Sequence, residues 1–574
     1  MEILLVVSTF NSLSQRVYAE LSDRGHRMDV VLATRGDDPV RAAVRERRPE
    51  LIIAPMLRTA LPEDVWRKHT CLVVHPGPPG DRGPSPLDWA IAERAPRWGV
   101  TVLQAEAAMD AGDIWAAEPF TMAPVGKSDL YRNEVCDAAV SAVLLAVHRY
   151  AAGGYKPRPQ THDSGPPLQI VRRSFFRQEQ RRINWSNDST ETVLRKLRGA
   201  DSQPGVLDEL LGHEVFLHGG HPEDRLRGHP GDLLATRAGA VCRATRDGAV
   251  WIPELRPRKN SGDPAPFRRP AACVLASFAG PHKLNLAEDA VPYELPAHRR
   301  TWTDIRYRER GEAGFLSFSF PGGAMSTDQC RRLLTAYEHA RARPTSVLVL
   351  GCDRDFFSNG IHLNVIEAAT DPAEESWRNL NAMDDLVEAV LRTTDRLVIA
   401  ALAGNAAAGG AMLALAADQV WCRTGAVLNP HYRRMGMYGS EFWTYTLPRR
   451  AGADTARRLT QQALPLSAAS AERLKLVDRL LPTTPGEFAT QVEHLATALA
   501  AAPDLHHRIA TKAAARRTDE EIRPLATYRS EELARMHAAF FDPEAPYHAL
   551  RSAFVRKEPP ACVRPLAPAA RALP

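Results

Sequence analysis

Short apolar, β-branched runs at Ile3–Val7, Asp29–Ala33, Leu51–Ala54 and Cys71–Val74 alternate with helical stretches at Ser14–Arg24, Pro39–Glu46 and Pro86–Ala95. Parallel strands need a crossover between them, usually a helix. The alternation therefore predicts a parallel sheet with helices on both faces. Ligands in such sheets sit beyond the carboxyl ends of the strands. The loops Ser8–Gln15, Pro55–Leu61 and His75–Gly83 emerge there.

From about 155 to 168 the chain turns to Pro, Gly and polar residues, as a linker does. A helix at Ser189–Leu197 follows, then short runs at Glu214–Leu217, Gly231–Arg237, Ala240–Arg246 and Ala249–Leu255 with turn residues between. That spacing predicts a small antiparallel barrel. Residues 257–310, rich in Pro, Arg and Ala, are expected to wrap the surface. A second α/β body is predicted from strand Phe315–Phe320, helix Ser326–Ala342, strand Ser346–Gly351, helix Leu380–Thr393 and strand Leu397–Leu402. The last 75 residues read as helices broken by Pro503 and Pro524, ending in a loose Pro/Ala tail.

Composition narrows the function. The chain has 574 residues, 44% hydrophobic and 25% charged, which suits a soluble protein of several domains. Its net charge of +5 comes from 73 basic residues spread thinly, without a Lys/Arg block. Nucleic acid is not expected as a partner; small anions such as nucleotide phosphates fit better. The eight cysteines show no metal-ligand spacing, so no metal is expected, and buried thiols in a reducing cytosol are. The start lacks the basic region of a signal peptide. Leu397–Asp418 is apolar enough to mimic a membrane span, but Gly404, Asn405, Gly409 and Gly410 argue for strand, turn and helix, so no membrane is expected.

Candidate chemistry falls in two places. The first is His75-Pro76-Gly77-Pro78-Pro79-Gly80-Asp81-Arg82-Gly83, followed by Gly99-Val100-Thr101 and by Asp110 in a loop after that strand. A histidine at a strand end can shuttle a proton, and Asp110 could orient it or hold a water. Together with Trp89-Ala90-Ile91, the pattern closely resembles the 10-formyltetrahydrofolate-dependent formyltransferases and hydrolases. Arg182-Ile183-Asn184-Trp185-Ser186 and Pro230-Gly231 resemble the C-terminal barrel of methionyl-tRNA formyltransferases. The resemblance implies a folate pocket lined by the Pro55–Leu61 and Gln104–Asp113 loops, with Arg82 among its binding residues. It also carries a departure. Those families have Asn two residues before the His, and Val73 stands there. Asn11 or Gln15 is the candidate replacement.

The second place is Ser358-Asn359-Gly360-Ile361 and Ala408-Gly409-Gly410. Two backbone N–H groups polarise a thioester carbonyl, and glycines let the backbone come close. These loops resemble the two oxyanion loops of the crotonase (enoyl-CoA hydratase) superfamily, which implies Ile361 N–H and Gly409 N–H as donors. Hydratases carry one Glu three residues after the second donor and another after a Pro; here stand Met412 and, after Pro430, His431-Tyr432. Tyr432 and Glu441, with Tyr438 nearby, are the remaining acid/base candidates.

The fusion resembles, over essentially its whole length, the hydrogenase maturation factors of the HypX (HoxX) family. The implied domains are a Rossmann-like formyltransferase domain at 1–165, an OB-like barrel at 166–285, a linker at 286–312, a crotonase-like domain at 313–500, and C-terminal helices with a tail at 501–574. The implied activity passes a formyl group from 10-formyltetrahydrofolate to coenzyme A and splits formyl-CoA to carbon monoxide for the NiFe hydrogenase active site. Arg132, Arg198, Ser202 and Gln203 are the candidates for coenzyme A phosphates or passage between sites. The expected partners are the two carriers and hydrogenase maturation proteins, in the cytoplasm, with homo-oligomerisation left open. Two other readings stand beside it: a formyltransferase for an amine with the crotonase-like half as scaffold, and a non-catalytic hydrogenase assembly protein.

Overall fold

The computed structural model describes residues 1–33, 37–160, 169–280, 285–351 and 354–558. The chain divides into two compact units, Met1–Glu209 with Val215–Gly220, and Leu210–Glu214 with the chain from His221 onward. Residues 166–285, expected as one domain, are thus shared between two bodies. Helix Thr190–Ala200 packs on helix Pro86–Ala92 within the first unit. The linker expected at 155–168 and the C-terminal tail fall largely or wholly outside the described residues.

The first unit is built on a six-stranded sheet, in the order Arg27–Leu32, Glu2–Val7, Leu51–Met56, Cys71–His75, Arg97–Gln104, Ile114–Thr121. The first four strands are parallel, as the sequence alternation predicts. The last two run antiparallel, which that alternation did not predict. Their connection is a short loop at 105–113 rather than a crossover, and a short loop can only return the chain in the opposite sense. Helix Cys136–Ala152 covers the last two strands. Lys127–Ala152 is long and apolar enough to cross a membrane by composition, and half of its apolar 18-residue stretch is buried in the protein.

In the second unit, strands His221–Glu223, Ala249–Ile252, Ala240–Ala244 and Leu233–Arg237 form an antiparallel sheet in that order. The stretch 257–310 does more than wrap the surface. It contains helix Ala271–Ala279 and strand Ile305–Arg310, which pairs antiparallel with Ala313–Phe318 along its whole length. A strand therefore lies inside the segment expected as linker. From there the sheet continues in parallel through Val347–Gly351, Leu397–Leu402, Gln419–Arg423 and Arg479–Leu481.

Local signals explain the flanking helices. Ser326 and Gln329 close a reciprocal capping box on helix Thr327–Arg341. Helix Pro372–Arg392 begins eight residues before the predicted Leu380 because Asp371 accepts from Ala373 N and Glu374 N and Pro372 fixes the first turn. Arg523-Pro524 separates Leu505–Ile522 from Leu525–Phe541, where the sequence places a break. Cys71, Cys136, Cys242, Cys330 and Cys422 are buried thiols, whereas Cys273 is exposed.

Candidate functional site

In the first unit, strand Cys71–His75 ends on a histidine only 4% exposed. Its Nε2 lies 3.0 Å from Asp81 Oδ2, and its Nδ1 lies 3.5 Å from Asp110 Oδ1. A neutral imidazole can donate from one nitrogen only, but a ring that takes up a proton can offer an N–H to each carboxylate. The loop that makes this possible depends on Gly77, where a Cβ would stand 2.5 Å from Asp81 Oδ2. Trp98 Nε1 and Thr101 Oγ1 donate to Pro76 O and Gly77 O and pin the same turn to the sheet, at 2.9 and 2.8 Å.

Both carboxylates are themselves held. Asp110 sits in the left-handed region at φ 57°, and its Oδ2 accepts Gly83 N–H at 3.1 Å. Asp81 Oδ1 accepts Arg173 Nε at 2.5 Å, and Arg173 also pairs with Glu93 at 2.7 Å. Arg173 reaches the site because Val171–Arg172 pairs with Asp81–Arg82, and Gly80 and Gly83 leave no Cβ in its path. Asp81 and Arg173 were not among the expected site residues. Asp81 lies inside the His75–Gly83 loop; Arg173, far along the chain, carries no sequence signal. Arg82, expected as a ligand-binding residue, has a buried Nε with no partner among the described residues.

The amides proposed to replace the missing Asn are engaged nearby. Asn11 Oδ1 caps helix Ser12–Asp23 by accepting Ser14 N–H, and its Nδ2 donates to the buried Tyr131 hydroxyl at 3.3 Å. Gln15 Nε2 donates to Phe10 O at 2.9 Å. Val73 packs in an apolar cluster with Leu4, Val6 and Ile52. Arg132 lies in the π-helical turn Tyr131–Val135 and Arg198 in helix Thr190–Ala200. Lys127 Nζ donates to Gln203 O at 2.7 Å and Ser128 Oγ to Asp201, so the Ser202–Gln203 loop is tied to the start of the helical run that carries Arg132. Burial lowers the Lys127 pKa, against the pull of Asp88.

In the second unit the two glycine loops meet. A Cβ on Gly360 would stand 3.1 Å from Gly409 N, so the residue before Ile361 lies against the second expected donor. Gly409 opens helix Gly409–Leu415 and so has no intrahelical acceptor for its N–H. A Cβ on Gly409 would collide with Glu441 Oε1, which places that carboxyl oxygen beside the glycine. Glu441 Oε2 accepts the Tyr432 hydroxyl at 2.7 Å and Ser440 N–H at 3.1 Å. The structure thus brings Gly360, Gly409, Tyr432 and Glu441 together. Tyr438 instead packs on Trp443 and under Arg535, at 5.2 and 4.3 Å. Those three residues and Tyr432 line a cleft of about 670 Å³.

Glu441 is 1% exposed, and burial, reinforced by the neighbouring Asp384 charge, holds its carboxyl well above the ordinary range. Burial raises the Tyr432 hydroxyl, and the charge of Glu441 adds to the effect. Glu441 and Phe442 are consecutive left-handed residues, at φ 60° and 59°. Two carboxylates from two helices hold that turn. Asp384 accepts Glu441 N–H at 2.8 Å and Ser440 Oγ at 2.8 and 3.0 Å. Glu532 accepts Phe442 N–H at 2.9 Å and Thr444 N–H at 2.8 Å, and burial pushes it up to about 8. Asp384 and Glu532 were missed, although each leaves a trace: an acid in the apolar stripe of its helix, among Leu380, Val387 and Leu525, Met536. Met412, where hydratases carry a Glu, is fully buried, and His431 turns its ring onto Asn429 O at 2.9 Å.

A formyltransferase-type unit joined to a crotonase-like unit defines a class of two-part acyl-handling enzyme. The formyl transferase C-terminal domain family matches residues 176–266, and the enoyl-CoA hydratase/isomerase family matches 321–561. A methionyl-tRNA formyltransferase of Myxococcus xanthus is 24% identical over 38% of this chain and 69% of its own length. The hydrogenase maturation factor HoxX of Bradyrhizobium diazoefficiens is 48% identical over 97% of this chain and 95% of its own. The crystal structure of HypX from Aquifex aeolicus in complex with tetrahydrofolic acid superposes with a TM-score of 0.93 at 42% identity, covering 100% of this chain and 99% of that one. The chain belongs to the HypX/HoxX family of hydrogenase maturation factors.

Proposed function

We propose that this protein takes the formyl group from 10-formyltetrahydrofolate, places it on coenzyme A, and splits the resulting formyl-CoA to carbon monoxide and free thiol. In the first step the thiol sulfur gains the formyl carbon, the folate N10–carbon bond breaks, and the thiol proton ends on the folate nitrogen. His75 is suited to move that proton, with Asp81 and Asp110 holding its ring from both sides. The tetrahydrofolic acid bound by the Aquifex aeolicus relative supports the choice of carrier.

The second step carries the distinctive chemistry. Backbone N–H groups of Ile361 and Gly409 polarise the formyl oxygen. Glu441 Oε1, the lobe not used by Tyr432 and Ser440, takes the formyl proton. The C–H electron pair stays on carbon as the C–S bond breaks, leaving carbon monoxide, and the thiolate recovers the proton from Glu441. A formyl thioester has no carbon next to its carbonyl, so the Glu pair of a hydratase is not needed. The single observation that carries this reading is Glu441 Oε1 against Gly409 with Met412 in place of an acid. Similarity to the hydrogenase maturation factor HoxX supports a hydrogenase, at its NiFe site, as the recipient of the carbon monoxide.

The test incubates the purified protein with 10-formyltetrahydrofolate labelled in the formyl carbon, with and without coenzyme A. Labelled carbon monoxide that requires coenzyme A is expected. Labelled formate alone in both tubes refutes the coupled scheme.

A further inference from the structure

We infer that Asp384 is a positioning residue for Glu441: it locks the Ser440–Glu441–Phe442 turn so that the carboxyl stands against Gly409, and it keeps a second acidic charge beside that carboxyl. The inference rests on Glu441 as the base of the second site.

The geometry has three parts. Asp384 is completely buried on helix Pro372–Arg392 and directs both carboxylate oxygens at one turn. It receives the Glu441 N–H and the Ser440 hydroxyl, so the residue that bears the proposed base is anchored through its own backbone. The turn needs an anchor. Left-handed backbone costs a non-glycine residue roughly 1–2 kcal/mol, and two such residues follow one another here. A hydrogen bond to a charged acceptor contributes about 1.5–3 kcal/mol, so the two donors on Asp384, the Glu441 N–H and the Ser440 hydroxyl, are the right size to hold it.

The surrounding charges make the arrangement more than a clamp. Arg529 is the cation facing Asp384, with Nε 4.0 Å from Oδ2, and it is shared with Asp385 and Glu388 at 2.6 and 2.8 Å. Glu532 reaches the same turn from the helix of Arg529, and Tyr432 adds its hydroxyl to Glu441. Cys330, on the packed helix Thr327–Arg341, is a buried thiol whose pKa burial raises. One arginine therefore offsets several buried acids. Burial raises Asp384 as well, against the Ser440 hydroxyl and Arg529, and the charge of Asp384 adds to the burial that raises Glu441. Such a pair loses its protons in two macroscopic steps. With Asp384 charged, Glu441 is a stronger base at the cost of being ionised in fewer molecules near neutrality.

The test uses the full chain and two readouts. Asp384→Asn keeps the size and the acceptor for Glu441 N–H but removes the charge. Ser440→Ala withdraws the hydroxyl from Asp384, so Asp384 holds its proton to higher pH and presses less on Glu441. Infrared difference spectra against pH follow the protonated-carboxyl band that disappears in Glu441→Gln. In the wild-type protein its midpoint is expected above neutrality. It should fall by about one pH unit or more in Asp384→Asn and by less in Ser440→Ala. The rising limb of carbon monoxide release from formyl-CoA against pH should move the same way, with a lower maximal rate and little change in KM. An unshifted midpoint in both variants, or no such band in the wild type above pH 5, overturns the inference. No carbon monoxide from the wild type at any pH refutes the second-site reading while the infrared result still decides the role of Asp384.

Discussion

The most direct probe of the first site is a single methyl group at Gly77. The backbone there is not left-handed, so alanine fits the chain itself. Its Cβ would stand 2.5 Å from Asp81 Oδ2 and 2.8 Å from His75 Cδ2. Non-bonded heavy atoms settle at about 3.5–4.0 Å, so the imidazole and the carboxylate must retreat by about 0.7–1.5 Å. Displacing a catalytic group by about 1 Å costs on the order of 100-fold in rate, or about 2.7 kcal/mol of barrier. Crowding two buried groups costs about 1–3 kcal/mol of stability, partly offset because alanine narrows the unfolded ensemble by about 0.4–1 kcal/mol. Gly77→Ala should therefore lower turnover of 10-formyltetrahydrofolate about 100-fold while calorimetric unfolding shifts by several degrees at most. The assay follows the absorbance change as the folate donor is consumed, with His75→Ala as the floor. Turnover within about threefold of wild type, in a folded variant, refutes the placement of the proton shuttle at His75.

Two further outcomes follow from the second unit. Tyr432→Phe and Glu441→Gln should each abolish carbon monoxide yet leave folate turnover in place; undiminished carbon monoxide from both, measured by haem-protein trapping, removes that couple from the mechanism. Glu532 is a buried acid whose folded pKa, about 8, lies above its unfolded value near 4.5, so the folded state binds the extra proton. Its contribution to stability is present below the unfolded value and lost as pH rises toward 8, on the order of a few kcal/mol. The Tm of the wild type should accordingly fall between pH 5 and 8.5. Glu532→Gln should flatten that fall, and an identical slope in both proteins contradicts the burial argument.

What the sequence yielded depended on range. Strand–helix alternation located the first four strands of the opening sheet within a few residues, because period and β-branching are local properties. It did not foresee that strands Arg97–Gln104 and Ile114–Thr121 run antiparallel, since direction is set by how a loop closes. His75, Asp110, Gly409 and Glu441 were legible from motifs and family resemblance. Arg173 was not, because a two-residue strand pairing delivers it to Asp81 from 92 residues away. Asn11 and Gln15 were plausible as stand-ins for the missing amide, and only the fold reveals them at work on a helix cap and a loop carbonyl. Asp384 and Glu532 could have been noticed as charges where helical periodicity asks for an apolar side chain. The turn they hold lies 57 and 90 residues away respectively, a pairing that no local pattern records.

The backward-wound pair Glu441–Phe442 has a consequence for anyone engineering this protein. Glycine adopts that winding freely, so a library screened only for heat tolerance would be rewarded for placing glycine at 441 and for relaxing the buried acids around it. Robust, well-behaved molecules lacking the proposed base would be enriched, and the loss would pass unnoticed unless the proposed carbon monoxide release were scored in the same round.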